Sequence, residues 1–195
     1  PDRAAALEQS WERAWERAGL APDTWTRRTF TQLWPRDGPW VPALLLNGTH
    51  VESGKRILTS SVRVDGAAFP DAYDFFALAS GDLRLSTAAL NSARFPYVSP
   101  AGTLVRGGDK LGHIVDGGYF ENFGAVTALQ AMRAALRAIG EAGKWAEPFL
   151  IQISNDPALG PDELDVDRAA GPLDRAGHRV ANETLSPPRT LLKTR

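Results

Sequence analysis

The stretch His113-Ile114-Val115-Asp116-Gly117-Gly118-Tyr119-Phe120-Glu121-Asn122-Phe123-Gly124 decides how the rest of the chain is read. Ile114-Val115 is a short apolar run of the kind that forms a buried strand. It ends on one carboxylate and two glycines, and a helical pattern begins a few residues later. Open α/β sheets place chemistry at such strand ends. Paired glycines there permit positive φ and a close backbone approach. The same composition also makes an ordinary strand-to-helix turn with a solvated Asp, so spacing alone leaves both readings open.

Downstream of this turn, Val126, Leu129, Met132, Leu136 and Ile139 mark one face of a helix over 124–139. Arg133 and Arg137 lie near its C-terminal end, where cations are favoured, and Gly140 reads as its stop. Phe149-Leu150-Ile151-Gln152-Ile153 reads as a second buried strand. Strand, helix and strand at this spacing make a βαβ unit, with a parallel sheet and a right-handed crossover. Residues 157–188 are rich in Pro, Gly, Asp and Arg and read as a long surface loop. Ser186-Pro187-Pro188 then opens a helix at Arg189. The chain starts at Pro1 and stops at Arg195, just past that helix start, which reads as a fragment cut at both ends.

Upstream, residues 96–112 are turn-rich. Ser86 can cap a helix that ends near Phe95, because Pro96 disfavours helix in the residue before it. Phe69 to Leu78 is aromatic and irregular, with a short helix expected after Pro70-Asp71. Val41 to Asn47 and Lys55 to Val64 read as strands joined by a long hairpin loop over 48–54. Asn47-Gly48-Thr49 and Asn182-Glu183-Thr184 match the glycosylation triplet but read as turn chemistry. At the start, Asp2 can cap a helix over 3–18. Leu7, Trp11, Trp15 and Ala18 form its apolar face, and Glu8, Glu12, Arg13, Glu16 and Arg17 its wet face. Phe30, Leu33 and Trp34 suit one helical turn ended by Pro35.

Composition bounds the function classes. The chain has 195 residues, 43% of them hydrophobic, and a net charge of -1, which gives no global field toward nucleic acid or an anionic membrane. There is no cysteine, so disulfides and thiol chemistry are excluded. No apolar run approaches the length of a membrane span, and no stretch reads as a signal peptide. The compartment stays open between cytoplasmic and membrane-associated.

Several chemical motifs fail on their spacing. Gly48 to Gly54-Lys55 has one residue too many for a phosphate loop, and Arg56 stands where a metal-binding hydroxyl belongs. Gly107-Gly108 to Gly112 does not follow a strand and open a helix, as a dinucleotide fingerprint would. His50, His113 and His178 offer no metal spacing, and no cofactor is expected. His113 and Asp116 are three apart on a strand and point to opposite faces, so they make a poor base–orienter pair. No serine stands in a Gly-x-Ser-x-Gly elbow.

Three stretches together resemble a bacterial patatin-like phospholipase. Asp116-Gly117-Gly118, followed by Asn122 and a helix, is similar to the family's Asp-Gly-Gly motif. Asn91-Ser92-Ala93-Arg94-Phe95-Pro96-Tyr97-Val98-Ser99-Pro100 is similar to the helix end and Pro-rich loop before that motif. Leu46-Asn47-Gly48-Thr49 through Ser53-Gly54-Lys55-Arg56-Ile57 looks like the family's hairpin after the nucleophile helix. The stretches span Ala43 to roughly Ile153. The resemblance implies an α/β class: a partial patatin-like fold, with a mixed sheet and a βαβ unit flanked by helices. Residues 1–42 would be a helical segment or insertion, and 43–195 the C-terminal part of the domain.

The resemblance further implies a lipid acyl hydrolase with a Ser–Asp dyad. Asp116 would be the general base, supported by Gly117 and Gly118. The serine and its oxyanion loop would lie in the missing N-terminal part of the same domain. This chain alone is then expected to be inactive. A lipid or ester would be the substrate, peripheral membrane contact is allowed, and nucleic acid is not a partner. Two other readings stand beside it. Asp116 and His178 could serve an upstream serine in a Ser-His-Asp esterase, or the domain could be a non-catalytic scaffold that docks through its Trp-rich first helix.

Overall fold

Strands β1 (Leu45–His50), β2 (Arg56–Ser60), β3 (Ala72–Asp74), β4 (Gly102–Arg106) and β5 (Asp109–Asp116) form one mixed sheet in the order β3-β2-β1-β5-β4. Helices α1 (Arg3–Arg17), α2 (Phe75–Leu78), α3 (Leu85–Ser92) and α4 (Ala125–Glu141) complete an α/β fold. This computed structural model describes residues 2–20, 28–35 and 37–153. The expected loop over 157–188, His178, the second triplet and the helix after Ser186 lie outside the described residues. The chain divides into two compact units, Pro1–Gly118 and Tyr119–Arg195.

The first unit holds the whole sheet. β1 and β2 are an antiparallel hairpin, with Leu45 opposite Ser60 and Thr49 opposite Arg56. The expected loop over 48–54 is therefore shorter, because β1 continues through Gly48, Thr49 and His50. Gly48 is a strand residue for a packing reason. A Cβ there would lie 2.6 Å from Ile114 Cδ1, so Ile114 fills the space a side chain would take. The Asn47-Gly48-Thr49 triplet is thus strand and not turn.

All five residues of β2 are buried. Arg56 among them is fully buried and ion-pairs with Asp71. The short helix expected after Pro70-Asp71 forms as α2, but a short strand comes first, β3, which runs parallel to β2. Asp74 then caps α2 by accepting the Phe76 amide at 2.8 Å. Ile57, Phe75, Ala79, Leu104 and Ile114 make the core, with Tyr73, Phe76, Leu78 and Leu83 packed around it.

Residues 96–112 contain more than turns. β4 and β5 form an antiparallel hairpin whose tip is Gly107-Gly108, at φ 61° and 95°. Two successive left-handed residues give the tight turn that matches strand twist, which glycine supplies without strain. β5 is accordingly longer than the Ile114-Val115 run. Its partners β1 and β4 are both antiparallel.

α1 begins as expected, with Asp2 accepting the Ala4 amide at 3.0 Å, but its buried face is different. Ala4, Glu8 and Glu12 are buried, Leu7, Trp11 and Trp15 only partly so, and Ala18 is exposed. The cause is the start of α3, where Arg84 provides no side-chain cap. Glu12 accepts from Ser86 Oγ at 2.6 Å and Arg84 Nη1 at 3.0 Å, and Glu8 accepts from Thr87 Oγ1 at 3.0 Å. Carboxylates are favoured beside the positive end of a helix. Ser86 is therefore an internal residue of α3 and not its cap.

In the second unit, Glu121 accepts the Val126 and Thr127 amides at 3.0 and 3.2 Å and so caps α4 from the preceding turn. α4 runs through Gly140, and the left-handed stop is Gly143 at φ 68°. The expected strand at Phe149–Ile153 does not form. These residues pair with no described strand, and Phe149 and Ile153 are 85% and 90% exposed. An apolar run becomes a strand only where a neighbour accepts its backbone groups. The βαβ unit is accordingly absent from the described residues.

Candidate functional site

β5 is an inner strand, and Asp116 is its last residue. Its backbone is held on two sides. The Asp116 amide donates to Arg94 O at 3.1 Å, and Asp116 O accepts from Thr49 Oγ1 at 2.9 Å. Gly48 is its register partner on β1. Alternation along β5 puts Asp116 on the face that carries Ile114, the face on which α3 packs against β1 and β5.

The two glycines after Asp116 have separate roles. Gly117 is buried against β1: a Cβ there would lie 2.5 Å from Asn47 O and 2.8 Å from Asn47 Cβ. Only glycine lets the chain turn this close to the neighbouring strand. Gly118 donates its amide to Asp116 Oδ1 at 2.6 Å. Asp116 Oδ2 makes no hydrogen bond among the described residues. Partial burial pushes the Asp116 carboxyl above its usual range, and the Gly118 amide only partly counters this. The result is a fixed carboxylate with one oxygen open and more affinity for a proton than a solvated Asp.

Asp116, Gly117 and Gly118 make one turn at the end of β5, fixed against β1. His113 is kept apart from Asp116. Its ring Nδ1 is 2.6 Å from Glu52 Oε1, and its amide donates to Glu52 Oε2 at 2.9 Å. His50 also approaches Glu52, at 3.4 Å, and its Nδ1 meets Ser53 Oγ at 2.9 Å. This cluster of His50, Glu52, Ser53 and His113 escaped sequence reading. The signal for it was the hairpin itself, since pairing β1 with β5 brings His50 opposite Ile114. The His113 amide and then its ring pull the Glu52 pKa down to about 2, with the nearby His50 adding a smaller through-space effect.

The failed phosphate-loop reading gains a structural explanation. Gly48 is inside β1, and Lys55 Nζ lies 5.3 Å over the Tyr73 ring. Among the described residues, no group of three or more acidic, His or Cys side chains could hold a metal ion. No helix among them is long and apolar enough to cross a membrane. Comparison with family models, curated proteins and solved structures gives no match.

Proposed function

We propose that this chain carries the base half of a Ser–Asp hydrolytic dyad, as part of a lipid acyl hydrolase of the patatin-like kind. The observation that carries the reading is the Asp116 carboxylate. One oxygen is fixed by Gly118, the other is open, and burial raises its proton affinity. A serine hydroxyl is a weak nucleophile and needs a base within hydrogen-bond reach. In this reading the serine comes from a Gly-x-Ser-x-Gly elbow outside the chain. Asp116 Oδ2 takes the hydroxyl proton as the oxygen attacks the ester carbonyl. It returns that proton to the departing alcohol, then draws one from the water that releases the acyl group and passes it to the departing serine oxygen. The close seat of Gly117 on Asn47 supports the reading, because it fixes where the carboxylate stands.

The test is Asp116→Asn in a protein that joins this chain to a Gly-x-Ser-x-Gly segment. Hydrolysis of p-nitrophenyl esters is expected to be lost while the circular dichroism spectrum is kept. Near-normal turnover in a folded variant would sink the proposal. His178→Ala in the same protein separates the dyad from a Ser-His-Asp arrangement, since the dyad expects little loss. This chain alone is expected to be inert toward the same esters.

A further inference from the structure

A second feature of the sheet face does not involve the Asp116 carboxylate. α3 packs on β1 and β5, and Arg94, just after it, lies against Gly102 of β4. Arg94 is 8% exposed and Asn91 6% exposed. Arg94 Nε donates to Asn91 Oδ1 at 2.8 Å, and its Nη1 donates to Pro100 O at 2.8 Å. Gly102 of β4 lacks a Cβ, and the guanidinium lies across it, with Nε 3.0 Å from where that Cβ would be.

The donors are not all used. Arginine has no acceptor, so its Nε fixes Asn91 Oδ1 toward it and turns the Asn91 amide NH2 away. Neither Asn91 Nδ2 nor Arg94 Nη2 makes a hydrogen bond among the described residues, and no carboxylate among them ion-pairs with Arg94. Burial opposes the charge on Arg94, and Glu8 and Asp2 support it only through space. Neither Asn91 Nδ2 nor Arg94 Nη2 is sealed from solvent, so both donors stay available to a ligand beside them.

Both side chains line one cleft of about 250 Å³, whose other walls include Phe75, Leu83, Leu104 and Ile114. A cationic donor and an amide donor at one side of a cleft with an apolar wall describe a ligand with an anionic acceptor head and a short hydrocarbon body. A cleft of this size has room for a short-chain acid. We propose that it binds a small monocarboxylic acid, its carboxylate shared between Arg94 Nη2 and Asn91 Nδ2 and its short hydrocarbon tail against Leu83, Leu104 and Ile114.

The probe is sodium hexanoate, titrated calorimetrically into the chain as it stands. Binding near about 1 mM is expected for a ligand of this size, with no detectable binding of hexanol or inorganic phosphate. Arg94→Gln should weaken hexanoate binding by about tenfold or more, because a hydrogen bond to a charged group is lost. Val105→Trp blocks the cleft from an exposed strand position that tolerates large aromatics, and it should abolish binding even if Arg94→Gln fails to fold. Asp116→Asn should bind hexanoate normally, which keeps this result separate from the hydrolytic reading. The proposal is overturned if hexanol or phosphate binds as well as hexanoate, if folded Arg94→Gln keeps full affinity, or if Val105→Trp does.

Discussion

Glu52 meets β5 at His113 and Asp116 stands at the strand's end, and the fold treats these two carboxylates in opposite ways. Glu52 stands exposed in the β1–β2 turn, yet both its oxygens are occupied. Asp116 is partly buried and has one amide donor. Hydrogen bonds to the charged form pull Glu52 down to about 2, and desolvation pushes Asp116 up. Exposure alone would have ranked them the same way but for the wrong reason. What separates a structural anion from a candidate base is the number of donors already spent on it.

The largest expected effect tests that distinction in turnover. In the hydrolytic reading, Asp116→Asn should cost about 10²- to 10⁴-fold, whereas Glu52→Gln should leave ester hydrolysis unchanged. Equal losses in both variants would erase the contrast.

Next in size is Gly117→Ala, where the new Cβ would collide with Asn47 backbone and side chain at 2.5 and 2.8 Å. A loss of about 1–3 kcal/mol is expected in urea denaturation. Wild-type stability in that variant would mean that the turn can move, and that Asp116 is not fixed.

A smaller effect follows from pH. Glu52 has a folded pKa near 2, below its ordinary 4.5. Its contribution is therefore complete above about pH 4.5 and is lost as pH falls toward 2. Glu52→Gln should flatten the stability profile in that window, and parallel profiles for the two proteins would refute the assignment.

The smallest effect has the opposite sign. Asp116 has a raised folded pKa, so its contribution to stability is present in acid and lost as pH rises through that value. At neutral pH its charge opposes folding. Asp116→Asn, which can still accept the Gly118 amide, should melt slightly above the wild type at pH 7, with the difference vanishing in acid.

The Asp116 turn was legible because a buried strand followed by Asp-Gly-Gly is a local pattern. The hairpin strands β1 and β2 were legible for the same reason, although β1 runs past Gly48 once Ile114 is seen to need its space. β4 was hidden because an edge strand buries only Leu104 among its five residues and shows little apolar signal. Phe149–Ile153 misled in the opposite direction, since composition cannot say whether a strand has a neighbour. The face of α1 was inverted because periodicity ranks Glu8 and Glu12 as wet, while Arg84, Ser86 and Thr87 supply donors from 72 to 79 residues away. Asn91 and Arg94 stood within a recognised stretch. Their unused donors exist only once Pro100 and the cleft are in place.

The pairing of β1 with β5 has a consequence for how the molecule assembles. Each hairpin closes between chain neighbours, a microsecond event. Joining them brings Thr49 to Asp116, 67 residues apart in sequence. Such long-range contacts carry the loop-closure entropy that slows folding. The Thr49 contact that holds the Asp116 carbonyl exists only once the hairpins are joined, so a chain with both hairpins formed but unjoined lacks this support for the candidate base. Substitutions at Gly48 or Gly117, where the two hairpins touch, should therefore lower the folding rate as well as the final stability.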